Sequence, residues 1–154
     1  MKKIFILLLF SLFTLSFSFF TSSAQTWQQM MDSTKFYQEK NDFATALKWA
    51  QKALPKAETE FSKLDTNYVS TLGFTSEIFY NKGKLDSAVF YQEINLKLCR
   101  TLFIGDHPDL AASINDMAYF YEDKGNFKEA EPLFKEALEM RRRIFKGDHP
   151  DLAN

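Results

Sequence analysis

The chain has 154 residues, with 19 lysines and arginines against 20 acids, a net charge of −1, a single cysteine and 17 phenylalanines. That near-neutral balance excludes bulk electrostatic attraction to nucleic acid, and one cysteine excludes an internal disulfide. Whatever fold forms must hold by packing.

The chain opens with Lys2 and Lys3, an apolar run over 4–20 and the small-residue stretch Thr21-Ser22-Ser23-Ala24. Basic, apolar and small-residue parts in that order read as a secretory signal peptide, with cleavage after Ala24. An uncleaved anchor is the alternative. Ser11, Thr14, Ser16 and Ser18 dilute the run, it falls short of about 20 apolar residues, and no basic flank follows it. No cysteine lies at the junction to carry a bacterial lipid anchor. The expectation is an exported protein, periplasmic or secreted, with no stable membrane anchor after cleavage. Setting residues 1–24 aside removes two lysines and no acid, which moves the net charge to −3 and leaves about 130 residues, enough for one core.

From residue 25 the chain repeats with a period of 42. Residues 105–111, Gly-Asp-His-Pro-Asp-Leu-Ala, recur unchanged at 147–153. Asn41, Gly83 and Gly125 fall in register, as do the small residues Thr34, Ser76 and Ala118, the aromatics Tyr37, Phe79 and Tyr121, and the alanines 46, 88 and 130. A period of this size belongs to stacked repeats, whose function is usually a surface. Helical periodicity predicts first helices over 27–40, 67–82 and 108–124 and second helices over 43–61, 85–102 and 127–145. Their short connections make them antiparallel pairs. The domain then covers 25–154, in units of about 27–66, 67–107 and 108–149 with a fourth starting at 150. In the third unit Ile114, Met117, Ala118 and Tyr121 share a stripe that should face Phe127, Ala130, Phe134, Ala137 and Leu138.

Gly83 and Gly125 stand where a helix end wants a left-handed residue, and Asn41 is the usual substitute. Pro108 and Pro150 suit a first helical turn, with the preceding His or Asp as cap. Pro132 should bend its helix by depriving the Lys128 carbonyl of a donor, and Pro55 should kink or shorten the second helix of unit one.

No chemistry-bearing constellation emerges. His107 and His149 occupy the same turn of successive repeats, which points to capping and away from a metal or a base. Cysteine pairs, metal-type histidine spacings and glycine-rich phosphate loops are missing from the sequence. Glu129, Glu131, Glu136 and Glu139 alternate with Lys128 and Lys135 as a salt-bridged exposed face, and Arg141, Arg142 and Arg143 read as solvated helix surface. Cys99 fits a small core or boundary residue, with intermolecular pairing a minor option. No catalytic residue, metal ligand or cofactor is expected.

Residues 118–141, Ala-Tyr-Phe-Tyr-Glu-Asp-Lys-Gly-Asn-Phe-Lys-Glu-Ala-Glu-Pro-Leu-Phe-Lys-Glu-Ala-Leu-Glu-Met-Arg, followed by Gly-Asp-His-Pro-Asp at 147–151, resemble the tetratricopeptide repeat. The 42-residue variety of kinesin light chains and many bacterial repeat proteins is the nearer likeness. It extends over about 27–154 and is best in the third unit. The first two units lack the Gly-Asp-His-Pro turn, and the second has Gln92 and Asn95 where the third has Phe134 and Ala137.

The resemblance implies an all-α, right-handed superhelical solenoid of antiparallel helix pairs whose first helices line a concave groove. It places Ala112, Asn115, Tyr119, Glu122 and Asp123 there from the third unit. From the second come Ser70, Gly73, Glu77, Tyr80 and Asn81, and from the first Gln28, Met31, Lys35, Gln38 and Glu39. Four acids against one lysine make the groove mildly acidic, though each residue could equally be plain solvated surface. Asn115 matches the inner-helix asparagine that holds ligand backbone in peptide-binding relatives; Gly73 and Met31 do not continue that ladder. The implied function is a non-catalytic scaffold binding a peptide or helix of another protein, a basic one by charge. The alternatives are a regulatory arm for a caspase-like protease or kinase domain beyond residue 154, and a structural or oligomerising envelope component. Residues 148–154 read as the first turn of a further helix, so the preceding helix is expected to fray or to self-associate through its uncovered face.

Overall fold

The computed structural model describes residues 25–145. The predicted signal peptide, His149, Pro150 and the second copy of the repeated heptapeptide lie outside them. Within the described residues six helices run in order: α1 (Trp27–Glu39), α2 (Phe43–Glu60), α3 (Thr66–Asn81), α4 (Leu85–Leu102), α5 (Pro108–Asp123) and α6 (Phe127–Ile144). Each packs chiefly on its neighbours in sequence, as a solenoid requires. The six agree with the helices predicted by periodicity, with ends shifted by no more than one residue.

The turn inside each pair is the same device three times. Asn41, Gly83 and Gly125 have φ of 57°, 69° and 78°. Each donates its N–H to the carbonyl three residues back, Gln38, Tyr80 and Glu122, at 2.8–2.9 Å, and the next residue donates to Tyr37, Phe79 and Tyr121 at 2.8–2.9 Å. These paired bonds close the helix end and reverse the chain in three residues. Side chains cap four of these six helix starts, including that of α2, where Asp42 accepts from Thr45 N–H at 3.0 Å. Thr26 and Gln29 form a reciprocal box, the Asp65 carboxylate accepts from Asn67 N–H, and His107 Nδ1 accepts from Asp109 N–H at 3.2 Å. His107 also stacks on Phe103, ring centroids 3.8 Å apart. The histidine therefore has the capping role its place in the repeat suggests.

Close helix approach comes from the small residues. Ala46, Ala88, Ala130, Thr34, Ser76 and Ala118 are all buried. One core cluster runs from Ala46 and Leu47 of α2 through Ile78 and Phe79 of α3 to Met117 and Phe120 of α5, so the units share a core. A second joins Cys99 and Leu110 to Ile114, Ala137 and Met140. Truncating a fully buried member such as Ile78 or Ile114 removes roughly 2–5 kcal/mol.

Three expectations need correction. Of the two effects expected of Pro55, shortening does not occur: α2 has 18 residues, as α4 has without a proline. Pro55, and Gln51 whose carbonyl it leaves without a donor, both face solvent, where water can replace the lost bond. Phe127 does not join the α5–α6 seam. As the first residue of its helix it is 65% exposed, and Ala130 is the first α6 residue buried. Nor is the arginine run simply solvated: Arg143 forks onto Asp106, with contacts of 2.7 and 2.9 Å. Glu136 is likewise held by Arg100 of the preceding unit, at 2.8 and 3.1 Å.

Candidate functional site

Residues three and four apart on a helix share a face. On α3 the series Ser70, Gly73, Phe74, Glu77, Tyr80, Asn81 forms such a stripe, and on α5 the series Asp109, Ala112, Ser113, Asp116, Tyr119, Phe120 forms its counterpart. Two clefts lie between the stripes. The larger, of about 470 Å3, is bounded by Glu77, Tyr80, Asn81, Asp116, Tyr119 and Phe120. The other, of about 250 Å3, is bounded among others by Ser70, Gly73, Phe74, Glu77, Ala112 and Asp116, with Asn95 and Cys99 of α4 beneath. Glu77 and Asp116 border both, so the clefts form one groove with a waist at these two carboxylates.

The floor is a polar network. Ser76 Oγ lies 2.7 Å from Gln92 Oε1, Gln92 Nε2 donates to the Ser113 carbonyl at 2.8 Å, Ser113 Oγ donates to Asn95 Oδ1 at 2.6 Å, and Asn95 Nδ2 donates to the Val69 carbonyl at 2.7 Å. All four side chains are buried. Gln92 and Asn95 thus bolt α4 to both α3 and α5, which explains residues that look foreign beside Phe134 and Ala137 of the next unit. A buried polar set whose members are all paired fixes one packing geometry.

Of the residues predicted for the groove, Ser70, Glu77 and Ala112 border the smaller cleft with Gly73, and Glu77, Tyr80, Asn81 and Tyr119 border the larger. Asn115 is only 9% exposed and borders neither. Met31, at the equivalent position of unit one, is 2% exposed and belongs to the interior. Lys35 stands on the α1 side with its ammonium 5.1 Å from the centre of the Phe74 ring. Gln38 is half-buried, and its Oε1 has no hydrogen-bond partner. Glu122 is exposed and borders neither cleft. Asp123 accepts a 2.6 Å hydrogen bond from the Tyr80 hydroxyl, while the Tyr80 ring stacks on Phe120 at 4.7 Å. That bond, burial and the nearby carboxylates push the Tyr80 phenol up to about 12. Tyr80 and Asp123 are thereby committed to joining units two and three.

Sequence reasoning passed over Asp116 and Phe74, which occupy the same position in successive repeats. Their signal was present: Asp116 is four residues after Ala112 and three before Tyr119. Desolvation by the cleft walls, with the Glu77 carboxylate adding to it and Arg141 opposing, pushes the Asp116 carboxyl up to about 6, although by surface area the residue is exposed along the groove, so water tempers the effect. Cys99, under the smaller cleft, is buried, and desolvation raises its thiol to about 11, so it behaves as packing. Among the described residues no three His, Cys, Asp or Glu side chains converge to hold a metal ion, and no helix is long and apolar enough to cross a membrane.

With the geometry established, the relatives are informative. Residues 110–151 match the tetratricopeptide repeat family. Among solved structures, a kinesin light chain candidate from Podosopora anserina with nearly identical TPR-like repeats superposes with a TM-score of 0.75 at 15% identity, covering 81% of this chain and 59% of that one. A single-substitution variant of the same protein gives 0.74 at the same identity and coverage. BtubC (BKLC) from P. vanneervenii gives 0.69 at 23% identity, over 82% of this chain and 50% of that one. The chain thus spans half to three-fifths of the length of these structures, and at such identities they establish the fold alone. No curated protein matches in sequence.

Proposed function

Because the chain carries the tetratricopeptide repeat and has the solenoid fold of kinesin-light-chain-like repeats, we propose that it is a non-catalytic scaffold that binds a peptide or helix of another protein along the α3–α5 groove. The observation that carries this reading is the continuity of the two clefts through Glu77 and Asp116. An extended segment can run through both. Tyr119, 42% exposed, offers the rigid amphipathic surface that anchors protein contacts. The carboxylates of Glu77, Asp109, Asp116 and Glu122 favour a basic segment, mainly through association rate and register. The repeat fold is typically a scaffold, and this reading assigns it no reaction.

The test is binding by the full chain to peptides selected from a random display library, followed by the same assay on Tyr119→Ala combined with Glu122→Lys. The reading expects binders whose affinity falls at least roughly tenfold in the double variant, with unfolding still cooperative and its midpoint lowered only by the loss of the edge-to-face contact of Tyr119 with Phe134. Binders indifferent to the double variant would overturn it.

We also propose that the protein acts outside the cytoplasm. The support is the order of Lys2, Lys3, the apolar run and Ala24. Mass spectrometry of protein made in a secreting host should find Gln25 at the N-terminus; an intact residue 1 would refute export with cleavage.

A further inference from the structure

At the smaller cleft the groove becomes a notch. Gly73 has no side chain, and Ser70 and Ala112 have short ones, so the facing helices leave a depression of about 250 Å3. That is below the 300–1,000 Å3 usual for small-molecule sites and nearer the size of one long side chain. Phe74 walls it, and its ring already accepts an ammonium 5.1 Å from its centre, that of Lys35 from α1. Glu77 and Asp116 stand at the waist, where the Glu77 carboxylate raises the cost of ionising Asp116.

Three carboxylates of α4, the α4–α5 connection and α6 have cationic partners: Asp86 has Lys124 at 2.6 Å, Asp106 has Arg143 at 2.7 Å and Glu136 has Arg100 at 2.8 Å. No ion pair among the described residues involves Glu77 or Asp116. The field of Arg141 favours the charged form of Asp116 but does not offset burial and Glu77. A depression with small residues at its base, an aromatic wall and two like charges at its mouth complements a long apolar stem that ends in a cation.

Resting on the groove reading above, we propose that the notch is a subsite for one lysine or arginine side chain of the partner protein, its stem against Phe74 and its cationic head between Glu77 and Asp116. This subsite sets the register of the bound segment. It makes the partner's basic residue a specificity determinant, where a general acidic field would only speed its approach.

The test uses twelve-residue peptides selected from a random display library on the full chain, keeping those that Tyr119→Ala weakens. These groove binders should share one lysine or arginine. Replacing it with norleucine, which keeps the stem and drops the charge, should weaken binding roughly tenfold, or about 1.4 kcal/mol. Against Asp116→Asn or Glu77→Gln, near-isosteric changes that spare the packing, the same replacement should cost much less, because the charge it removes has lost its counterpart. Groove binders without a shared basic residue, or a norleucine penalty undiminished in both variants, overturn the subsite and leave the groove reading standing. A selection that yields no binders sensitive to Tyr119→Ala overturns the groove reading and the subsite with it.

Discussion

The side-chain amide nitrogen of Asn95 lies 3.4 Å from where a Cβ on Gly73 would stand. That separation is ordinary van der Waals contact, so alanine fits at a helical position where glycine costs roughly 0.5–1 kcal/mol. Gly73→Ala should therefore stabilise the fold by about that amount in urea unfolding while weakening groove-binding peptides, because the added methyl fills the notch. A loss of stability would show that Asn95 cannot give way and that the floor is tighter than argued.

The network beneath the groove should be costly to interrupt. Asn95→Ala leaves the Ser113 hydroxyl proton without its acceptor, although its oxygen still accepts from Gln92 Nε2, and the Val69 carbonyl without its side-chain donor, for an expected loss of about 1–3 kcal/mol. Since Asn95 and Ser113 share one hydrogen bond, the double variant with Ser113→Ala should show a coupling of about 0.5–3 kcal/mol in chemical unfolding. Additive losses would mean that the two side chains act independently.

Asp116 makes stability depend on pH with a definite sign. Its carboxyl is raised from 3.8 to about 6 in the fold, so the folded state takes up a proton at higher pH than the unfolded chain. Its ionisation therefore burdens the fold fully above about pH 6, progressively less as pH falls, and not at all below about 4. Asp116→Asn should stabilise by up to roughly 1 kcal/mol at pH 8, the size being limited by solvent contact along the groove. The gain should vanish near pH 3.5 in thermal unfolding; a gain independent of pH would contradict the assignment.

Tyr80 should titrate apart from the other tyrosines. Its phenol is raised to about 12, chiefly by the hydrogen bond to Asp123. Ultraviolet titration should show Tyr80 ionising last, behind Tyr68 and Tyr121, which are also raised, and moving down in Asp123→Asn while burial and Glu122 still hold it up. Tyr80→Phe keeps the stacking on Phe120 and should cost about 0.5–1.5 kcal/mol.

Most of the architecture could be read from local chemistry. Asn41, Gly83 and Gly125 mark the helix reversals because a left-handed residue is needed there whatever the surroundings, and the 3.6-residue period fixes the buried faces between them. What could not be read depends on residues far apart in sequence. Gln92 and Asn95 look like departures from the repeat until Ser113, 21 and 18 residues on, supplies their partners. Arg143 reads as solvated until the solenoid brings Asp106 to it across 37 residues. The groove was half legible: its helices and the acids at Glu77 and Glu122 follow from the repeat. Asp116 was missed because the family positions pass from Asn115 to Tyr119, although the helical stripe through Ala112 and Tyr119 passes over it.

The central claim is that the surface between α3 and α5 binds a segment of another protein. The most direct measurement is backbone amide NMR of the full chain, titrated with the tightest peptide from the display selection. The account predicts that the largest shift changes fall within 66–81 and 108–123 and centre on Glu77 and Asp116. Changes concentrated on α4 and α6, over 85–102 and 127–144, would place recognition on the second helices and contradict it.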